Sequence, residues 1–255
     1  MTSLHAAKVR VAKLLCHPLV GRFIGRAFHD SVPNRGCRID TSSPLVTPEV
    51  KAMLFWRLYE GAELRFVERY LRADLDVVEL GASLGVMGSQ IARKMGPTRQ
   101  LVCVEANPAL IPIIERNVRA NASPSQRISI VHGAIGYEPG EMVSLVLGDA
   151  TYGSHVGSLA DARAVKVPQL GLSKLLSAHA LTGPFALVSD IEGSELGVFE
   201  NETEALARCQ QLIIELHDVR SGERQFSAEQ ICQLAKDRHG FRIRDRHGPV
   251  VVFER

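Results

Sequence analysis

The 255-residue chain lacks the features that mark several classes of protein. Its five cysteines are scattered, and no two of them form a C-x-x-C pair. This spacing argues against a disulfide framework or a zinc site and favours a reducing, cytoplasmic location. No apolar run has the length needed to span a bilayer. We predict no signal peptide, because Lys13 interrupts the first apolar run and no clean cleavage site follows it.

An excess of charge of one sign is also missing. The chain has 30 Lys and Arg against 28 Asp and Glu, for a net charge of +2, which argues against a nucleic-acid-binding protein. Its 45% hydrophobic and 23% charged residues are typical of a globular protein. The length suffices for one α/β domain preceded by an extension. We therefore predict a helical cap over residues 1–70 and a main domain over residues 71–255.

What the chain does contain is a regular alternation of strand and helix patterns. This order predicts an α/β fold with a doubly wound, mainly parallel, Rossmann-like sheet. Residues 241–244 and 250–253 flank Gly248-Pro249 and predict a C-terminal antiparallel hairpin. The other predicted strands are residues 76–80, 101–105, 128–132, 142–147, 185–190 and 211–217. The predicted helices are residues 86–94, 109–121, 173–180, 194–201 and 227–237.

The N-terminal extension mixes basic and apolar residues. Residues 5–28 predict a surface helix that is broken near Pro18 and packs on the domain; the alternative is contact with an anionic membrane or a partner helix. The same helices are candidates for a homodimer contact. Residues 31–36 are rich in turn formers and predict a linker. Residues 48–70 predict helix interrupted at Gly61.

The most informative segment is a strand that ends in a glycine turn. The strand at residues 76–80 stops at Gly81, and a helix is predicted to begin near Gly85, where backbone N–H groups are free to bind a ligand. Glu105 ends the next strand, about twenty residues after the turn. In nucleoside-binding sheets, the acidic residue that binds the ribose diol has the same position. Together these features predict a pocket for a cofactor that contains adenosine.

The glycine spacing distinguishes between two such cofactors. A dinucleotide fold uses G-x-G-x-x-G, whereas here three residues separate Gly81 from Gly85. Glu79, just before the turn, would repel a pyrophosphate and attract a sulfonium or a methionine amino group. The pattern therefore favours S-adenosylmethionine over NAD. An NAD(P)-dependent oxidoreductase and a non-catalytic cofactor-binding partner protein remain as alternatives.

Other residues are predicted to line this cofactor pocket. Ala82 lies in the glycine turn, and Ala106 follows the predicted ribose ligand. Ala134 and Ile135 come directly after the third strand, where small and aliphatic side chains can lie along a flat adenine ring.

Four polar residues follow the two strands predicted at 185–190 and 211–217. Asp190 and Glu192 are two apart, as are Glu215 and His217, so each pair is expected on one face, at the edge of the sheet where ligands bind. We predict Asp190, His217 and Glu215 to be catalytic, with Asp190 or His217 as the base, and Glu192 to bind substrate. A divalent metal held by the acids is the alternative, although no spacing identifies a metal site. His155 lies in a glycine- and serine-rich segment that is predicted to form a substrate-side loop or lid over the sheet. It is a separate candidate for proton removal or substrate contact.

Several of these motifs, in this order, resemble the FkbM-type branch of the class I S-adenosylmethionine-dependent methyltransferases. The resemblance runs from about residue 59 to residue 217 and implies O-methylation of a sugar, glycan or natural-product hydroxyl. Two positions depart from the family pattern, with Glu79 in place of Asp and Val188 in place of Lys. The motifs that carry the resemblance are Val77-Val78-Glu79-Leu80-Gly81-Ala82-x-x-Gly85, Glu105-Ala106-Asn107-Pro108, Glu115-Arg116-Asn117-Val118, His132-Gly133-Ala134-Ile135-Gly136, Asp190-Ile191-Glu192-Gly193-Ser194-Glu195 and Ile213-Ile214-Glu215-Leu216-His217.

Overall fold

A computed structural model describes residues 11–146, 155–156, 164–222 and 224–255 of the chain. They form two compact units that divide after Gly61. The domain boundary predicted at residue 70 stays a prediction. In the ranges just given, the structure has no helix that is both long enough and apolar enough to cross a bilayer.

The first unit contains two helices and a hairpin. Its elements are α1 (Pro18–Ala27), β1 (Ser31–Asn34), β2 (Cys37–Asp40) and α2 (Pro48–Phe55). Residues 11–15 are also helical, and α1 begins at the predicted break, since Pro18 has a fixed φ that suits a first helical turn. Nδ1 of His17 caps this turn by accepting a hydrogen bond from the Leu19 amide at 3.2 Å.

The predicted linker at residues 31–36 is wrong, because these residues belong to the β1–β2 hairpin. Arg35 and Gly36 have φ values of 46° and 83°, so the strands are joined by a two-residue turn with positive φ at both positions. Such turns match the right-handed twist of the strands that they join. The turn residues were recognised in the sequence, but the short alternating strands beside them were not.

The second unit contains the central sheet. Its helices are α3 (Gly61–Tyr70), α4 (Val86–Lys94), α5 (Ile111–Asn121), α6 (Leu172–Ala178), α7 (Glu195–Asn201), α8 (Thr203–Arg208) and α9 (Ala228–His239). Its strands are β3 (Asp76–Leu80), β4 (Gln100–Glu105), β5 (Arg127–His132), β6 (Ala134–Ile135), β7 (Met142–Val146), β8 (His155–Val156), β9 (Ala164–Leu170), β10 (Phe185–Ser189), β11 (Cys209–Glu215), β12 (Val219–Ser221), β13 (Arg224–Phe226), β14 (Arg242–His247) and β15 (Val250–Glu254).

Seven strands form the central sheet in the order β14-β15-β11-β10-β3-β4-β5. The five strands from β11 to β5 are parallel, and the β14–β15 hairpin is antiparallel, with β15 paired to β11. The chain builds outward from β3 to β5 and then returns to the other side of β3 with β10. The doubly wound sheet and its C-terminal hairpin, both predicted from the sequence, are therefore confirmed.

This order reverses between β3 and β10. Their carboxyl ends lie side by side, and the Asp190 amide donates to the Leu80 carbonyl at 2.9 Å. Ligands of doubly wound sheets bind at such a reversal. The glycine turn after β3 and the acids after β10 therefore share one edge of the sheet.

The segment predicted as a loop after residue 147 is partly a second sheet. Four strands pair in the order β6-β9-β7-β8, and β9 runs antiparallel to β7. The sequence of β9 interleaves polar residues and Pro168 with valines, which hides the strand pattern. Most of the predicted lid lies outside the described residues, so its role stays a prediction.

Candidate functional site

The turn between β3 and α4 requires its glycines. Gly81 and Gly85 have φ values of 84° and 74°, a region that residues with a side chain rarely adopt. A Cβ atom on Gly81 would lie 1.9 Å from the Asp190 carbonyl oxygen. The amides of Gly81 and Ala82 both donate to the Val104 carbonyl at 3.0 Å, which holds the turn against the end of β4. The backbone thus forms a close-packed cradle at the sheet edge.

Glu105 closes this cradle from the end of β4. Its side chain is buried, Oε2 accepts a hydrogen bond from the Ser83 amide at 2.8 Å, and Oε1 accepts one from the Asn107 amide at 2.7 Å. Burial raises the pKa of Glu105, while the amides oppose that shift. Because a carboxylate has about four lone-pair positions, both oxygens keep acceptor capacity for the two hydroxyls of a ribose. The residues at the cradle therefore fit an adenosine-containing cofactor.

Glu79 lies beneath α4 rather than on the surface of the turn. Its side chain is only 1% exposed, and its carboxyl group lies beside the Cys103 thiol and the Gly88 amide, although neither oxygen makes a hydrogen bond of good geometry with a described residue. A Cβ atom on Gly88 would lie 2.7 Å from Oε2. Burial raises the pKa of Glu79 to about 8. Its contact with the cofactor stays a prediction.

The predicted adenine residues separate into two apolar clusters. Ala134 is buried with Val143, Leu145 and Val167, and Ala106 packs against the same small cluster. Ile135 belongs instead to the main core of the second unit. Ala106, which directly follows Glu105, and Ala134 thus belong to one apolar cluster, while contact of any of these residues with adenine stays a prediction.

The four polar residues predicted at the sheet edge come together, with three carboxylates around the imidazole of His217. Its Nε2 lies 3.7 Å from Glu192, 3.9 Å from Glu215 and 4.0 Å from Asp190, measured to the nearest carboxylate oxygen. Oδ1 of Asp190 is buried and has no hydrogen-bond partner among the described residues. The structure therefore supports the predicted geometry; the roles assigned to these residues stay predictions.

A fifth residue, Glu195, was not among the site residues selected from the sequence. It is the first residue of α7, its side chain is 0% exposed, and its Oε1 lies 2.7 Å from Nδ1 of His217. Although a Glu at this position of a helix is commonly solvated, α7 packs Glu195 against His217, just after the end of β11. The Asp-x-Glu-Gly-x-Glu run includes Glu195, so the signal was present.

The surroundings of His217, Asp190 and Glu215 raise the pKa values of all three groups. The hydrogen bond to Glu195 raises the pKa of His217 to about 9, which stabilises the imidazolium. Burial, aided by neighbouring carboxylates, raises the pKa of Asp190 to about 7 and that of Glu215 to about 7. The charge of Glu63, on α3, contributes to both of these shifts. At neutral pH the cluster thus contains one imidazolium and two carboxyl groups poised to exchange a proton.

Three of these residues also satisfy a distance requirement for a metal ion. Asp190, Glu192 and His217 each offer a ligand atom, and the three atoms lie within 4.8 Å of one another. A histidine must be neutral to bind a metal, however, and this imidazole favours its protonated form.

Glu192 and His155, which are both predicted to contact substrate, have contrasting positions. Glu192 has a positive φ of 48°, followed by Gly193 at 101°, so the loop after β10 is held in an unfavourable conformation beside the cluster. Such strain is commonly found at functional sites. His155 lies in β8, opposite Val146, but its side chain is outside the described part of the structure.

Two solved structures show a distant likeness to this chain. The pyocyanin biosynthetic protein PhzM is 15% identical, with a TM-score of 0.42, over 82% of this chain and 57% of that one. Precorrin-6y C5,15-methyltransferase from Geobacter metallireducens is 14% identical, with a TM-score of 0.40, over 84% of this chain and 91% of that one. The chain therefore spans less than two thirds of PhzM.

Sequence families give a clearer result. No curated protein matches the chain. The family model of the methyltransferase FkbM domain matches residues 79–243, which include the glycine turn, Glu105 and the His217 cluster. This match confirms the resemblance inferred from the motifs and favours S-adenosylmethionine over NAD. The chain belongs to the FkbM family of S-adenosylmethionine-dependent methyltransferases.

Proposed function

We propose that this chain methylates a hydroxyl oxygen of a neutral, hydroxyl-rich acceptor, such as a glycan or natural product, with Asp190 as general base. The observation that carries this proposal is the position of Asp190. Its partly buried carboxylate follows β10, its backbone contacts the glycine turn, and its Oδ1 has no hydrogen-bond partner among the described residues.

The cofactor would be held by the turn from Gly81 to Gly85 and by Glu105. When bound, S-adenosylmethionine supplies an activated methyl group on a positively charged sulfur. The chain has to place an acceptor oxygen beside it, exclude water and remove the hydroxyl proton. The carboxylates around His217 would also favour the positive charge of the sulfonium by Coulomb attraction.

Asp190 suits the role of base better than His217 does. At neutral pH the imidazole of His217 is protonated and has no lone pair to accept a further proton. Asp190 has a pKa of about 7, where a base is partly ionised and still strong enough to take a proton. In the proposed step the acceptor O–H bond breaks, its proton moves to the Asp190 carboxylate, and the electron pair stays on the acceptor oxygen. Glu215, with a similar pKa, is the second candidate.

The charge of the cluster favours a neutral acceptor. Asp190, Glu192, Glu195 and Glu215 surround a single imidazole, and Glu63 acts on both Asp190 and Glu215. A phosphate or sulfate on the acceptor would therefore meet repulsion. Hydroxyl groups can donate to these carboxylates. We therefore expect neutral glycosides to be methylated and their phosphorylated counterparts to react poorly.

Substitution of Asp190 tests the proposal. Methyl transfer is followed with tritium-labelled S-adenosylmethionine on a panel of neutral glycosides and their phosphates, and S-adenosylhomocysteine binding by calorimetry. We expect Asp190→Asn to lower kcat by about 10²-fold or more, a typical effect of removing a general base, while cofactor binding stays intact. Asp237→Asn, at an exposed position on α9, is the matched control.

The alternatives give different results in the same assays. Stabilisation by NADH but not by S-adenosylhomocysteine would indicate an oxidoreductase. Cofactor binding with no transfer to any acceptor of the panel would indicate a non-catalytic partner protein.

A divalent metal at Asp190, Glu192 and His217 is a second version of the mechanism, favoured by the proximity of their ligand atoms. The ion would lower the pKa of the acceptor hydroxyl. Because the protonated imidazole disfavours metal binding, we expect full activity after treatment with EDTA. Loss of activity that Mg²⁺ or Mn²⁺ restores would instead establish the metal version.

A further inference from the structure

Helix α1 presents an exposed face that combines apolar and basic side chains. Leu19, Arg22, Phe23 and Arg26 are spaced i, i+3, i+4 and i+7, so they lie on one side of the helix, which we call the α1 face. All four are exposed, and the exposed fractions of Leu19 and Phe23 reach 64% and 72%.

Packing on the other side of the helix fixes this orientation. Gly21, Ile24 and Gly25 are buried. A Cβ atom on Gly21 would lie only 1.6 Å from the Pro48 carbonyl oxygen, so α1 contacts the start of α2 through its backbone. Rotation of α1 to bury Phe23 would require larger residues to fit where the glycines now pack. The α1 face is therefore held outward.

Exposed apolar residues are concentrated in the first unit. Of nine large hydrophobic residues exposed in the described part of the chain, only Met142 and Ile243 belong to the second unit. An apolar surface of this kind commonly marks a site of interaction. The seven in the first unit are Val11, Leu14, Leu19, Phe23, Leu45, Trp56 and Leu58.

The charged residues of the segment that leads into and forms α1 are all basic. Residues 1–29 contain five Lys and Arg and no Asp or Glu. Arg22 and Arg26 form no ion pair with any described residue, and with Gly25 and His29 they line a surface pocket. Lys51 also lines the pocket, where Asp30 binds its ammonium at 2.6 Å. The pocket can therefore receive an anionic group.

We propose that the α1 face docks on the surface of an anionic phospholipid bilayer. Leu19 and Phe23 would enter the boundary between headgroups and acyl chains, and Arg22 and Arg26 would bind lipid phosphates, as in amphipathic helices that lie in the membrane plane. A second copy of the chain fits less well, because a twofold interface would place the same unpaired arginines near each other.

Vesicle sedimentation of the full-length protein tests this proposal. The protein is mixed with vesicles of phosphatidylcholine alone or with 30% phosphatidylglycerol. We expect binding to the anionic vesicles only, weakening as NaCl is raised. Arg22→Gln with Arg26→Gln should lower the partition coefficient by about 25-fold, since each basic residue contributes roughly fivefold. Leu19→Ser with Phe23→Ser should lower it by about tenfold or more.

Exposed residues of β14 supply matched controls. Arg242→Gln and Ile243→Ser remove the same side-chain types from the second unit, and binding should not change. Equal binding of wild type to both vesicle types, no binding, or undiminished binding by the α1 variants would each overturn the proposal. So would sedimentation velocity showing a wild-type dimer that the α1 variants convert to monomer. None of these measurements requires methyl transfer, so they stand apart from the proposed function.

Discussion

Nδ1 of His217 lies 2.7 Å from Oε1 of Glu195, whose side chain is fully buried. The contact orients the imidazole so that Nε2 is directed toward Asp190, Glu192 and Glu215. The second oxygen of Glu195 has no hydrogen-bond partner among the described residues. The contact with His217 is therefore the side-chain hydrogen bond that Glu195 makes in this part of the structure. A buried carboxylate thus sets both the orientation and the charge of the imidazole.

Glu195 is expected to act as a positioning residue. Glu195→Gln keeps the shape of the side chain but removes its charge, so the pKa of His217 should fall from about 9 by about one unit or more. NMR titration of the His217 ring proton, assigned with His217→Gln, measures this shift. We also expect kcat/KM to fall by about tenfold, because His217 is held less firmly.

Glu200→Gln is the control for this experiment, since Glu200 is exposed on the same helix. It should leave both the titration and the activity unchanged. An unaltered His217 pKa in Glu195→Gln would contradict the role given to Glu195.

The pH dependence of activity should reflect the ionisation of the general base. Because Asp190 must be deprotonated to accept a proton, kcat/KM should rise about tenfold per pH unit below pH 7 and level off above it. Glu215→Gln should retain the rising limb of the pH profile, because the proposal makes Asp190, and not Glu215, the base. A limb near pH 9 in the wild-type profile would identify neutral His217 as the base instead.

The central sheet could be predicted from the sequence because its inner strands are short, buried and apolar, and the edge strand β5 keeps apolar residues although it is only partly buried. The strands predicted at residues 76–80, 101–105 and 128–132 differ from β3, β4 and β5 by at most one residue at either end. Parallel strands covered on both faces need continuous apolar runs, which are easily recognised. The edge at which Asp190 and His217 meet follows from strand order alone.

The burial of individual polar side chains could not be predicted. Glu195 has the sequence context of an exposed first helical turn, and only its packing against His217, 22 residues later, makes it part of the site. Helix α5 begins at Ile111 rather than at residue 109, because the Asn107 side chain caps a turn at Ala109. These features depend on contacts that no local pattern contains.

Glu105 is expected to contribute strongly to cofactor affinity. Glu105→Ala removes the acceptor for the Ser83 and Asn107 amides and for the proposed ribose hydroxyls. Since a hydrogen bond to a charged group contributes about 1.5–3 kcal/mol, affinity for S-adenosylhomocysteine should fall by about 10- to 100-fold. Calorimetry measures the affinity, and the melting temperature shows whether the variant is folded.

The control for Glu105 is Glu115→Gln, at an exposed position on α5 that pairs with Arg119. It should bind the cofactor as the wild type does. Unchanged affinity in a folded Glu105→Ala variant would remove Glu105 from the cofactor site.

Glu79 should make the cofactor-free protein less stable as the pH rises. Its pKa is about 8 in the folded protein against 4.5 for the free side chain, so the protonated form favours folding. The stabilisation is fully present below about pH 4.5 and is lost as the pH rises through about 8. Glu79→Gln cannot ionise. Its free energy of unfolding, relative to wild type, should therefore increase by about 3 kcal/mol between pH 5 and pH 8.

Urea unfolding at several pH values measures this difference. The change with pH carries the test, because any constant cost of burying the Gln amide cancels from it. Glu204→Gln, at an exposed position on α8, should follow wild type at every pH. A difference between Glu79→Gln and wild type that is the same at pH 5 and pH 8 would show that burial does not hold Glu79 in its protonated form.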